Sequence, residues 1–225
     1  MRISSTFISG AVAAVAVAGS ASAGVVDPFT ETQSFGNDSA TGFMSITGGL
    51  FNQRNAFKTL WAGGAGVRAS SNDVAFTTNR AIFGLVGLTY QMANGSSKDL
   101  SLLTGMSIAL SALNLNVSAG TAATGVSINW QAIDVNLNSM YASQDLFSNG
   151  TSTFDFAAAT KDLGFDQTKV TTLQLSVTQI GGPTSSGSPV TVSGTLSNFG
   201  YTAVPAPGAL ALLGAAGLVG ARRRR

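Results

Sequence analysis

The sequence has no cysteine and no histidine among its 225 residues, and a single glutamate, Glu31. Without histidine there is no Ser-His-Asp triad, no imidazole acid or base, and no ordinary zinc site. Without cysteine there is no thiol nucleophile and no disulfide to staple the fold. Charge is scarce as well, at 10% of residues. The glycine-rich piece Gly63-Gly64-Ala65-Gly66 lacks the spacing and the lysine of a phosphate loop, so it reads as a turn. The catalysis left open is that of paired carboxylates, as in glycoside hydrolysis. The acids at hand are Asp134, Asp145, Asp155, Asp162 and Asp166, none inside a motif. The sequence therefore reads as non-catalytic, with a glycoside hydrolase or lyase as the remote alternative.

What is present is the composition of an all-β protein. Ser, Thr, Asn and Gly dominate the polar positions, and short alternating segments recur between turn clusters such as Asn94-Gly95-Ser96-Ser97 and Gly181-Gly182-Pro183. Strands are expected near Thr30 to Phe35, Gly42 to Thr47, Val67 to Ser70, Asp73 to Thr77, Ile82 to Gln91, Ser107 to Val117, Ser127 to Asn138, Thr151 to Phe156, Thr171 to Gln179 and Val190 to Thr202. That number of strands points to a two-sheet antiparallel β-sandwich, jelly-roll-like. Short helices are expected only at Asn52 to Trp61, which also reads as loop, and at Ala157 to Leu163. The first and last strands are expected to pair or lie side by side, because domain termini tend to be close.

Two segments share a pattern. Ile108, Leu110 and Ala112 change phase to Leu113, Leu115 and Val117, and Ile128, Trp130 and Ala132 change phase to Ile133, Val135 and Leu137. Each change predicts a β-bulge or bend, since one added residue reverses the face. An antiparallel hairpin turning at Ala122 and Ala123 would set Ile108 against Leu137 and Val117 against Ile128. It would also leave Asn114, Asn116, Asp134 and Asn136 as an exposed polar row.

The two ends of the chain differ from its body. Met1-Arg2, the apolar run Ile8 to Gly19 and the small residues Ala21-Ser22-Ala23 have the layout of a secretory signal cut after Ala23. At the other end Val204-Pro205-Ala206-Pro207 precedes an apolar run, Gly208 to Ala221, and a basic cluster of four arginines, Arg222, Arg223, Arg224 and Arg225. A hydrophobic segment closed by such a cluster follows the positive-inside rule for a membrane anchor, with the four arginines on the cytoplasmic side. This tail resembles the bacterial PEP-CTERM sorting signal, with Ala206 where the family's usual motif has Glu between the prolines. The resemblance covers about a tenth of the chain. It implies recognition by an exosortase-like membrane protease after a signal peptidase has acted, transient inner-membrane anchoring, and delivery to the cell surface or extracellular matrix with exopolysaccharide as an associated partner. The organisation expected is a signal peptide at 1–23, a β-sandwich domain at 24–203 and a sorting segment at 204–225, the two tails being helical.

Between the tails lie seven basic and ten acidic side chains, a net charge of −3. No basic patch is left for nucleic acid. No cofactor is expected, a structural calcium held by Asp155, Asp162 and Asp166 being the one metal considered. Two functions remain. The first is a structural or adhesive surface protein. The alternative is a carbohydrate-binding module, whose aromatics would stack on sugar rings while Asn and Asp bind hydroxyls. Trp61, Tyr90, Tyr141 and Tyr201 are candidates for that stacking. Trp61, beside Gly63 and Gly64, is the expected sugar contact, whereas Trp130 has the phase of a core residue.

Overall fold

The computed structural model describes residues 22–34, 42–59, 66–70, 73–79, 85–116, 125–180 and 191–204, all within the compact unit Ala21–Val204. They form a two-sheet antiparallel β-sandwich. The first sheet holds β1 (Ser22–Asp27), β2 (Gln33–Ser34), β5 (Gly66–Ser70), β6 (Asp73–Asn79), β8 (Leu103–Asn116), β11 (Gly150–Asp155) and β14 (Thr191–Ala203), ordered β11-β8-β14-β6-β5-β2, with β1 also on β14. The second holds β3 (Met44–Ser45), β4 (Gln53–Thr59), β7 (Leu85–Gln91), β9 (Gly125–Asp134), β10 (Ser139–Leu146), β12 (Thr160–Lys161) and β13 (Val170–Ile180), ordered β12-β10-β9-β13-β7-β4-β3.

Alternation explains the faces. In β9, Val126, Ile128, Trp130, Ala132 and Asp134 are buried; in β13, Leu173, Leu175 and Val177; in β7, Val86, Leu88 and Tyr90. Opposite them, β8 buries Met106, Ile108 and Leu110, and β14 buries Val192, Leu196 and Phe199. A chain of rings fills the middle. Trp130 stacks on Phe154 at 5.7 Å, and Phe199 meets both Trp130 and Tyr90 edge-on at 5.5 Å. The Trp130 Nε1 donates to Ser152 Oγ at 2.8 Å, so the largest core residue carries its polar atom satisfied from β9 to β11.

A second polar tie joins the sheets. Arg54, on β4, is fully buried and donates through its guanidinium to Asp27 Oδ2 on β1 (2.6 Å), to Gln33 Oε1 (2.9 Å) and to the Glu31 carbonyl (2.6 Å). Asp27 also accepts from the Phe29 backbone N–H at 2.7 Å. The Tyr90 hydroxyl is buried nearby, and burial together with the Asp27 charge pushes its pKa well above the usual tyrosine value.

Several expectations are corrected. Asn52 to Trp61 holds strand β4 rather than a helix, because the residue pointing inward between polar neighbours is Arg54, paired rather than apolar. Ala157 to Leu163 is a turn followed by β12, and the only helical pieces among the described residues are the 3-10 turns Ala93–Gly95 and Gln167–Lys169. Strand β10 has no counterpart among the expected strands. β8 and β9 do not form a hairpin: β8 pairs with β11 and β14, and β9 with β10 and β13. Their matching apolar rows face each other across the core, not along one sheet. The phase change in β8 is a bulge, with Ala112 at φ 50° and an extra residue opposite Gly194. The change in β9 is the end of the strand, where a turn places Leu137 at φ 66°. The strand expected at Thr30 to Phe35 does not lie beside the last one: its residues Gln33 and Ser34 form β2, paired with β5 at the sheet edge and separated from β14 by β5 and β6, and it is the upstream β1 that pairs with β14. Phe29, between them, stacks on Phe199 at 6.4 Å. The proposed signal cut after Ala23 falls inside β1, where Ala23 pairs with Thr202.

Candidate functional site

The outer face of the second sheet carries residues that alternation turns away from the core. One row crosses five strands: Tyr141 on β10 pairs with Gln131 on β9, Gln131 with Gln174 on β13, Gln174 with Thr89 on β7, and Thr89 with Asn55 on β4. With strands about 4.8 Å apart, the row is about 19 Å long. The next row is Ser143, Asn129, Ser176, Gly87 and Phe57. The ring of Phe57 lies over Gly87; a Cβ there would come within 2.6 Å of it and 2.5 Å of the Leu175 carbonyl, so only glycine lets the ring down onto the sheet.

At the β10 side of these rows lies a shallow depression of about 320 Å³ lined by Asn129, Gln131, Tyr141, Ser143, Gln174 and Ser176, over the backbone of Trp130 and Ala142. Tyr141 is 45% exposed. Asn129 donates to Thr178 Oγ1 at 3.2 Å, which fixes its amide. The amides of Gln131 and Gln174 and the hydroxyls of Tyr141, Ser143 and Ser176 make no side-chain hydrogen bond to other described residues. No charged side chain lines the depression. Such a surface offers donors, acceptors and one aromatic face to a polar, uncharged molecule.

The outer face of the first sheet differs. A depression of about 360 Å³ is lined by Thr104, Ser107, Thr153, Asp155 and Thr202 among others. Its hydroxyls are partly self-satisfied, Thr104 Oγ1 lying 2.8 Å from Thr202 Oγ1. Ser111, Ser193, Thr195 and Ser197 continue this face along β8 and β14.

The residues singled out in the sequence are distributed as follows. Tyr141 belongs to the depression. Tyr90 is buried against Phe199 and Phe51 and cannot reach a ligand. Tyr201 is half-buried over Gly24, where a Cβ would collide with its ring. Trp130 is core, in line with its phase. The expected sugar contact Trp61, Ala21 of the signal-like segment, Pro205, Ala206 and Pro207 of the sorting motif, and the basic cluster Arg222, Arg223, Arg224 and Arg225 all lie outside the described residues. Val204 is exposed and donates its N–H to the Leu102 carbonyl. Among the described residues, no helix is long and apolar enough to cross a membrane.

The carboxylates hold turns. Asp134 is buried, contrary to the exposed row expected of it, and accepts from the backbone N–H groups of Asn136 (2.8 Å), Asn138 (2.9 Å) and Asp166 (2.9 Å). Burial opposes its charge, but these donors outweigh it and hold the pKa below the ordinary 3.8. Asp162 accepts from the hydroxyl and N–H of Ser139, and Asp166 from those of Thr168, each with its pKa lowered by these bonds. Asp155 caps Ala157, and Asp145 stands on the outer face opposite Ser127. Among the described residues no three acidic groups gather as a metal site.

Sequence reasoning missed Gln131, Gln174, Asn129 and Ser143. Their polar phase was visible in β9 and β13; their meeting with Tyr141 required β10.

No protein-family model and no curated protein matches the sequence. Among solved structures, an agarase is similar over 82% of this chain and 25% of its own (TM-score 0.46, 11% identity). The family 30 carbohydrate-binding module of a cellulosomal cellulase of Clostridium thermocellum is similar over 80% of this chain and 98% of its own (TM-score 0.36, 11% identity). The xyloglucanase domain of a Sinorhizobium fredii type three effector is similar over 76% and 96% (TM-score 0.37, 11% identity). This chain spans about a quarter of the agarase it resembles.

Proposed function

We propose that the chain is an exported, non-catalytic carbohydrate-binding protein that holds an uncharged glycan on the outer face of its second sheet. One observation carries the reading: unpaired amides and hydroxyls stand beside an exposed tyrosine in a depression with no charged lining. Sugars present alternating hydroxyl edges and apolar C–H faces, and this set answers both. The depression lines no carboxylate pair, which hydrolysis of a glycosidic bond requires. Export and surface delivery are part of the proposal and rest on the signal-like start and the sorting-like tail, with signal peptidase and an exosortase-like protease as processing partners and exopolysaccharide as the ligand pool. Cleavage after Ala23 would leave Gly24 to Asp27 on β14 and keep the Asp27–Arg54 pair. A structural or adhesive role stays as a second reading, favoured by the Ser- and Thr-covered outer face of the first sheet.

The test is polysaccharide pull-down and calorimetry with Tyr141→Ala, Gln131→Ala and, on the first sheet, Thr195→Ala. About 80 Å² of the Tyr141 ring is open to be covered, so its loss weakens binding by roughly 2 kcal/mol, or about 30-fold. Binding unchanged in Tyr141→Ala, or lost equally in Thr195→Ala, rejects the site.

A further inference from the structure

Where β14 finishes, its end and three turns are tied together. Val204 donates to the Leu102 carbonyl, Leu100 exchanges hydrogen bonds with Gln167, the Asp166 N–H donates to Asp134, and Asn138 Nδ2 donates to the Gly164 carbonyl. Each turn and the strand end holds an aliphatic side chain out to solvent. Leu163 is 100% exposed and Leu137 83%, and Leu102, Val135 and Val204 are about half exposed. Leu137 adopts φ 66°, a left-handed conformation that favours glycine or asparagine. Neither packing nor backbone conformation accounts for leucine there.

We propose that this end of the sandwich rests on a lipid bilayer, with Leu137 and Leu163 entering its interfacial region and Leu102, Val135 and Val204 lying at its boundary. The chain leaves the sandwich here, and after Pro205, Ala206 and Pro207 the sequence continues into the apolar run Gly208 to Ala221 and its four arginines. Any bilayer holding that run is within a few residues of these turns. The side chains stand on separate turn tips, not on one flat patch, which suits a soft apolar medium better than the roughly 800 Å² per side of a stable protein interface. Lys98, Lys161 and Lys169 are outnumbered at this end by Asp99, Asp134, Asp155, Asp162 and Asp166, so apolar insertion and not attraction to anionic headgroups drives the contact. Docking is therefore nearly independent of salt.

The absence of cysteine makes the test direct, because a single introduced thiol is the only labelling site. The full chain carrying Leu163→Cys or Leu137→Cys is labelled with an environment-sensitive dye and bound to phosphatidylcholine vesicles, with and without phosphatidylglycerol. Ser148→Cys, at the far end of β10, is the control. The expected result is a shift to shorter wavelength and quenching by lipid-borne nitroxides at 163 and 137, but not at 148, alike in both lipid mixtures and at high salt. A Leu102→Cys label, quenched in the parent background, loses that quenching when Leu137→Asp and Leu163→Asp are added, although the tail is intact. Labels at 163 and 137 that behave like 148, a chain that does not sediment with vesicles, or a shift that appears without lipid and grows with protein concentration each overturn the proposal, the last in favour of contact between copies.

Discussion

Replacing Arg54 by methionine tests how the two sheets are held together. The methionine fills most of the volume, but Asp27 loses its partner at 2.6 Å, Gln33 Oε1 and the Glu31 carbonyl each lose a donor, and the cation over the Phe29 ring, 5.6 Å from its centroid, is gone. A buried carboxylate stripped of its cation costs about 3–5 kcal/mol, set against a total stability of roughly 5–15 kcal/mol for a domain. At about 2–4 °C per kcal/mol for a domain of this size, the unfolding midpoint falls by roughly 6–20 °C. The double variant Asp27→Asn with Arg54→Met recovers about half of that loss or more, because no charge remains buried. Urea unfolding of all three proteins, followed by tryptophan emission and circular dichroism, measures both effects. A loss under about 1 kcal/mol in Arg54→Met, or a double variant no better than the single, refutes the reasoning.

Three further outcomes follow from particular contacts. Trp130→Phe strips the donor from Ser152 Oγ inside the core and lowers stability by about 1–3 kcal/mol in chemical denaturation, more than Tyr141→Ala on the surface does. The Gln144 side chain accepts from the Thr153 N–H (2.9 Å) and donates to the Thr151 carbonyl (3.4 Å), covering the free edge of β11 with an amide. Gln144→Ala uncovers that edge and raises self-association in sedimentation velocity, with folding intact. Stability is flat from about pH 5 to 8, since there is no histidine to titrate, and falls in acid. The sign follows from the folded-state pKa values of Asp99, Asp134, Asp162 and Asp166, which lie below 3.8, and of Glu31, below 4.5. Lowered values add stability that is complete above the unfolded pKa and is lost as pH drops through the folded one. Thermal midpoints across that range check it, and a transition between pH 5 and 8 contradicts it.

Alternation made β7, β9 and β13 legible, since the middle of each inward row is apolar: Val86 and Leu88, Val126 to Ala132, and Leu173 to Val177. β4 was hidden because its inward side chain is a charged arginine, whose justification sits on β1, 27 residues away in sequence. β10 was hidden because its inward row, Met140, Ala142, Gln144 and Leu146, is broken by a glutamine that serves an edge strand no local pattern reveals. The bulge at Ala112 was readable because the strand continues beyond it. The same signal after Ala132 misled, since a strand that ends in a turn and a strand that bulges shift phase alike.

The site was legible in kind and not in place. Asn129, Gln131 and Gln174 occupy outward positions that period two marks as wet. Which aromatic joins them depends on strand order: Tyr141 arrives because β10 pairs with β9, and Tyr90 is lost to the core because β7 directs it inward beside Arg54. Local pattern assigns a side chain to a face; only pairing assembles several of them into a surface.

The most direct test of the carbohydrate-binding surface is a titration of the isotope-labelled protein with neutral oligosaccharides released from exopolysaccharide, read from its side-chain amide resonances. The account predicts that the amides of Asn129, Gln131 and Gln174 move together with the Tyr141 ring while Ser193, Thr195 and Ser197 stay fixed; movement confined to the first sheet, or none at saturating sugar, contradicts it.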